Sequence, residues 1–205
     1  MIPGISVVIP THAGRERTLS LARASVVGQW LRPVAVHVVE DTTHAGAAAT
    51  RDRGLRRVET EWTAFLDSDD VMYREHLMTL HDAAVTGGAD YVYSWYDMVD
   101  GDGRKLRTRD PLPHFGQPFD PERPTQTTIT VLVRTDLAQA VGFQAPTPGE
   151  MIDGQVAGED WRFTLGCVAA GATVLHVPQR TWAWRHWGVG SPRRPGNTSG
   201  RGDRW

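Results

Sequence analysis

Three runs in the first third of the chain read as strands: ISVVIP (5–10), nearly continuously apolar and rich in β-branched residues, then VAVHVV (34–39) and WTAFLD (62–67). A strand that is apolar at nearly every position, and not at alternate ones, must be covered on both faces. That is the mark of a parallel sheet held between helices. The intervals agree. Leu19, Ala22, Val26 and Trp30 recur at helical spacing, and GAAATRDRGLRRV (46–58) reads as a helix with Gly54 its weak point. REHLMTLHDAAV (74–85) turns Leu77, Leu80 and Ala84 inward, and ADYVYSWY (89–96) gives a fourth strand. Strand and helix thus alternate in units of roughly thirty residues, and the expected class is α/β, a Rossmann-like, mostly parallel sheet flanked by helices.

The second half breaks that rhythm. DGDGRKL (100–106) reads as a turn, and 107–125 is a polar, proline-rich surface excursion. QTTITVLV (126–133) is a strand placed to pair antiparallel, which would make the sheet mixed. EDWRFTLGCVAAG (159–171) is a helix with Trp161, Leu165 and Val168 on one side, and ATVLHV and TWAWRHW are two short strands. From Gly188 the chain is dominated by Gly, Pro, Ser and Arg, so 1–187 is expected to be a single domain and 188–205 a flexible tail.

Charge and cysteine content narrow the function. A formal net charge of −2 over 205 residues gives no general attraction to nucleic acid or anionic membrane. One cysteine, Cys167, excludes an internal disulfide and any multi-cysteine metal site, and fits a reducing, cytoplasmic setting. MIPGISVVIPTHAG carries no basic residue before its apolar run, so it reads as a strand and not a signal peptide. No stretch approaches the ~18 consecutive apolar residues of a membrane span.

In an open parallel sheet ligands bind beyond the carboxyl ends of the strands. Three polar clusters fall there: PTHAGR after the first strand, EDTTHAG after the second and DSDD after the third. Asp67, Asp69 and Asp70 repel one another unless a cation lies among them. An EF-hand is excluded, because its sixth position would be Met72 and its twelfth Met78, where Gly and Glu are needed. Neither G-x-x-x-x-G-K-[ST] nor a G-x-G-x-x-G after the first strand is present. One or two carboxylates at a strand end suit Mg²⁺ or Mn²⁺, which take their other ligands from water and substrate phosphates. Acids also cap helices, and capping explains Asp70 as well as chemistry does.

Taken in order, these segments resemble family 2 glycosyltransferases of the GT-A fold. ISVVIPTHAGR is similar to the family's opening strand and PTxN/A turn, VVEDTTHAGAAATRDRG to VDDGSxDGTxxxARNxG, and FLDSDDVMYREHL to LDxDDxxxPxxL, which carries its DXD motif. GEDWRFTLGCVAAGATVLHVP is similar to xEDxxLxxRxxxxG, and WRHW to YRxH. Thr50, Asp52 and Arg74 stand where the family usually has Ala, Asn and Pro, and Trp182, Trp184 and Trp187 crowd the last strand.

The resemblance implies inverting transfer of a sugar from a nucleotide-diphosphate sugar, UDP-sugars favoured, to a hydroxyl acceptor with a divalent metal, Mn²⁺ or Mg²⁺. It implies a donor-binding half (1–98) and an acceptor and catalytic half (99–187). Pro10, Thr11 and His12 would line the donor's base and ribose. Glu40 would read the base, one methylene longer than the usual acid, and Arg51 would approach the nucleotide or its phosphates. Asp67, beside Ser68, would hold the ribose and assist the metal. Asp69 would ligate the metal, with His186 as an extra ligand. Asp160 would be the general base, supported by Glu159. Two other readings share the same residues: a nucleotidyltransferase, for which the first loop is poor in glycine, and a nucleotide-sugar-binding module without turnover. The acceptor stays open among glycan, lipid, protein, small molecule and nucleic acid.

Overall fold

The computed structural model describes residues 1–106, 117–122, 128–145, 151–152, 155–156 and 158–186. The expected tail at 188–205 and most of the excursion at 107–125 lie outside the described residues.

The chain begins β1 (Ile2–Thr11), α1 (Glu16–Val27), β2 (Ala35–Glu40), α2 (Ala47–Leu55), β3 (Thr60–Phe65), β4 (Val71–Met72), α3 (His76–Gly87) and β5 (Tyr91–Val99). It continues with β6 (Val131–Arg134), α4 (Thr135–Val141), β7 (Met151–Ile152), β8 (Gln155–Val156), α5 (Glu159–Ala169) and β9 (Val174–Arg185). Seven strands form one sheet in the order β2-β1-β3-β6-β5-β9-β4, and β7 and β8 form a separate antiparallel pair. β1 runs parallel to β2 and β3, β6 is antiparallel to β3 and β5, and β5 is parallel to β9. β4 is antiparallel to β9, so β6 and β4 are the reversed strands and the sheet is the expected mixed, mostly parallel one.

Both faces are covered. Ile5, Val7 and Ile9 of β1 pack with Ala22, Val26, Leu77 and Leu80 under α1 and α3. On the opposite face Val8 joins Phe65, Tyr91, Val131 and Phe163 under α2, α4 and α5. Each Val, Leu, Ile or Phe side chain among them contributes about 1.5–3 kcal/mol when fully buried.

The structure differs from the sequence reading at four places. α1 stops at Val27, with Gly28 at its C-terminal end, so Trp30 lies beyond the helix and is 62 % exposed. Gln29 is the buried residue there instead: its Nε2 donates to Ser25 O and Tyr73 O, and its Oε1 accepts from Leu77 N, tying α1 to α3. Strand β6 begins only at Val131, and α4 follows it without a loop. The two predicted C-terminal strands are one, β9, whose register on β5 shifts after Ser94–Val177 and resumes at Trp95–Arg180. Pro178 falls in that bulge, where its missing N–H does no harm to the ladder. The two-residue β4 is too short to carry a pattern. No helix among the described residues is long and apolar enough to cross a membrane.

Because β5 and β9 run parallel to β1 and β3, the carboxyl ends Thr11, Glu40, Phe65, Val99 and Arg185 all lie along one edge of the sheet. The site is built there.

Candidate functional site

Leaving β3, Leu66 N donates to Val8 O, and the chain then turns tightly, with Asp70 N donating to Asp67 O. Asp70 is buried and faces inward: its Oδ1 accepts from the backbone N of Arg185 at 2.8 Å. Burial, then the neighbouring Asp69 and Asp67, push its carboxyl well above the usual range, against the pull of Arg185. The Arg185 side chain finishes the turn, donating from Nε to Asp69 O (2.9 Å) and from Nη1 to Gly101 O (2.8 Å) and Asp100 O (3.2 Å). Asp70 and Arg185 thus fix the loop from below, while Asp67 and Asp69 keep side chains 35 % and 18 % exposed.

Two buried arginines meet those carboxylates. Arg15, from the turn after β1, pairs through Nη1 with Asp69 Oδ2 and donates from Nε to His12 Nε2 at 3.0 Å. Arg51, on α2, donates from Nη2 to Asp67 Oδ1 at 2.6 Å. Its Nη1 donates to Glu159 Oε1 at 2.9 Å and to Asp160 Oδ1 at 3.2 Å. Desolvation opposes the charge on Arg51, but Asp67, Asp160 and Glu159 together raise its pKa beyond the ordinary arginine value.

Glu159 and Asp160 form the first turn of α5 after an extended Gly158, where the helix dipole favours acids. The turn is anchored on the sheet: Thr164 Oγ1 donates to Asp160 O, and Thr164 also bonds the Tyr91 hydroxyl at 2.9 Å. Asp160 is set in a dense wall yet keeps 35 % of its side chain open. Desolvation, with Asp67 and Glu159 beside it, pushes its carboxyl up to about 7 against the pull of Arg51. A carboxylate with that pKa is matched to proton transfer near neutrality.

The other expected residues line the same edge. Pro10 and Thr11 end β1 and are buried, and Thr11 Oγ1 has no hydrogen-bond partner. His12 is half-buried beside Arg15. Glu40 pairs in register with Thr11 and is exposed, whereas the following Asp41 is buried. Burial works against the Asp41 charge, but the amides of Ala45 and Gly46, with Arg53, hold its carboxyl below the usual range and fix the loop leading into α2. Ser68 is buried within the DSDD turn. His186 donates its backbone N to Val99 O at 2.7 Å and lays its ring 5.4 Å from that of Trp184. Trp161 packs into the wall behind Asp160 as a core residue, and Trp95 stacks on His176. Arg15, Asp41 and Arg185 fall in segments the sequence marked, PTHAGR, EDTTHAG and WRHW, but nothing in it gave these three a role.

Four carboxylates (Asp67, Asp69, Glu159 and Asp160) thus meet two guanidiniums (Arg15 and Arg51), an excess of two acids. That excess, and its hard oxygen donors, suit a divalent cation that completes its shell from water and phosphate. No three His, Cys, Asp or Glu side chains gather as a ready ligand set among the described residues.

Comparison with known proteins agrees with this geometry. The family model described as Glycosyl transferase family 2 matches residues 29–142. Among solved structures, S. aureus TarS 1–349 superposes with a TM-score of 0.65 at 16 % identity, covering 89 % of this chain and 60 % of that one. The same protein in complex with UDP-GlcNAc gives 0.67 at 16 % identity, over 89 % and 58 % of the two chains, and in complex with UDP 0.67 at 18 %, over 89 % and 60 %. This chain therefore spans about three fifths of the length of that structure. No curated protein sequence matches it.

Proposed function

The chain belongs to glycosyltransferase family 2, and we propose that it transfers a sugar, with inversion, from a nucleotide-diphosphate sugar to an acceptor hydroxyl. The observation that carries this reading is the meeting of Asp67 with the Glu159–Asp160 pair on the single guanidinium of Arg51. A donor-holding carboxylate and a carboxylate of raised pKa lie at one sheet edge, one from each half of the chain. A UDP-sugar is the favoured donor, supported by the shared fold with TarS, whose solved structures hold UDP-GlcNAc and UDP.

In this reading residues 1–98 hold the donor and the later part of the chain presents the acceptor. Pro10, Thr11 and His12 line the nucleoside, and the Thr11 hydroxyl is buried there without a hydrogen-bond partner. Glu40, exposed at the end of β2, reads the base. Asp67, beside Ser68, faces the ribose. Asp69 would hold a divalent metal with Asp67 nearby and His186 as a further ligand, and a metal there supplies a Lewis acid for the leaving diphosphate. Asp160, ionised above about pH 7, takes the proton from the attacking hydroxyl as the new glycosidic bond forms and the bond to the diphosphate breaks. Glu159 helps to keep that base in place through their shared arginine.

The test is donor binding by calorimetry. Asp69→Asn should weaken UDP binding about tenfold or more in Mn²⁺ and abolish its metal dependence. The isostere is preferred because Asp69→Ala would strip the buried Arg15 of its carboxylate, a loss of about 3 kcal/mol or more. Unchanged affinity and unchanged Mn²⁺ dependence would refute the assignment of the DSDD turn.

A further inference from the structure

Arg51 is 3 % exposed and joins two distant parts of the chain, Asp67 after β3 and the Glu159–Asp160 pair of α5. A guanidinium has four terminal N–H bonds, and three of these are taken by carboxylates. The Phe143 ring lies 5.9 Å from its central carbon, and Nε is buried without a partner. A bidentate grip on a phosphate needs two N–H bonds, and with Nε buried only one terminal N–H is left, so Arg51 could provide it only by releasing a carboxylate. From the other side, Arg51 is the one hydrogen-bond partner of the Asp160 and Glu159 carboxylates among the described residues, since α5 has no side-chain cap.

We propose that Arg51 is a positioning residue that sets the general base Asp160 against the donor-holding Asp67, and does not bind the nucleotide. The inference rests on the reading of Asp160 given above. Three carboxylates brought together without a cation repel, and the least constrained, at the open end of α5, moves away. A base displaced by about 1 Å loses on the order of 10²-fold in rate, because it must lie within hydrogen-bond reach of the proton it takes. Glu159, Asp160 and Asp67 are the charged groups that face Arg51; the aromatic face of Phe143 and the backbone of α2 complete its surroundings.

The experiment uses the full chain with Arg51→Gln and Arg51→Lys. Three quantities are read: UDP affinity in Mn²⁺, steady-state release of UDP from a UDP-sugar, and amide exchange over 158–163 without ligand. For Arg51→Gln the expectation is a fall in kcat of about 10²-fold with donor KM and UDP affinity within about threefold. Arg51→Lys should recover part of kcat, and Asp160→Asn should add little to Arg51→Gln, as for groups acting as a unit. Exchange should accelerate at 158–163 and stay unchanged in β1, β3 and α2. A tenfold loss of UDP affinity with kcat preserved would make Arg51 a nucleotide ligand and overturn the proposal. Unchanged exchange at 158–163 would overturn it too, and acceleration throughout the chain would reduce Arg51 to a general stabiliser. If the native chain turned over no nucleotide sugar, the transferase reading would fall, and the exchange measurement would still decide whether Arg51 holds the Glu159–Asp160 turn.

Discussion

Gly54→Ala in α2 sets two effects of opposite sign against each other, and the structure decides between them. Helix propensity alone favours alanine at an interior helical position by about 0.8–1.0 kcal/mol. Gly54, however, faces the sheet one turn from Arg51 and is buried. A Cβ there would collide with Val8 Cγ1 and come within 3.1 Å of Val39 Cγ2, on two adjacent strands. Val8 is completely buried and Val39 nearly so, so neither side chain has room to swing aside. Forcing a methyl group into a filled core costs about 1–3 kcal/mol, and a conflict with two β-branched neighbours belongs at the upper end. The expected net effect is a destabilisation of about 2 kcal/mol, or a fall of roughly 4–8 °C in Tm for a chain of this size. Urea unfolding measures it, with the m-value unchanged. In a Val8→Ala background the penalty should fall by at least half, because one of the two obstructions is gone. If Gly54→Ala alone stabilises the protein, the close packing of α2 on β1 and β2 is wrong, and with it the placement of Arg51.

With Asp160 as the proposed base, kcat/KM should fall about tenfold per unit below about pH 7 and level off above it, since only the ionised form accepts a proton. Asp160→Asn should depress turnover about 10²-fold or more with UDP affinity nearly unchanged, and a nearly active variant would move the base to Glu159. His76 is fully buried beside Thr181 and burial lowers its pKa to about 3, so the unfolded chain binds a proton that the folded one refuses. Stability should therefore be intact above pH 6.5 and decline as pH falls, by about 1.4 kcal/mol per unit, with ring resonances in NMR that do not titrate down to pH 4. A ring that titrates near 6.5 in the folded protein would contradict the burial.

The apolar runs exposed the sheet and its helices because a strand covered on both faces leaves an unmistakable pattern. The edge clusters followed from the same rule, since polar residues at the carboxyl ends of such strands have few other uses. What escaped was long-range or brief. Arg15 reaches Asp69 across 54 positions, and nothing local in PTHAGR marks that arginine for burial. Asp70 reads like its neighbours in DSDD, yet the Arg185 backbone turns it inward as a structural acid. Helix α4 is too short to develop a periodicity and starts directly at the end of β6, so nothing in the sequence marked it as a helix. Gly54 looked like a flaw in a helix because its contact lies on β1 and β2. Trp30 fell on the helical repeat by spacing, but Gly28 ends the helix first.

The central claim is that this sheet edge moves a sugar from a nucleotide diphosphate with Asp160 as the base. Its most direct measurement is the release of free nucleoside diphosphate from a panel of nucleotide sugars in Mn²⁺, comparing the native chain with Asp160→Asn, with the anomeric configuration of the product read by NMR. Release is expected from at least one donor, strongest among UDP-sugars, with a product inverted at the anomeric carbon and a loss of about 10²-fold or more in the variant that still binds UDP. Retention of configuration, or equal release by both proteins, would contradict it.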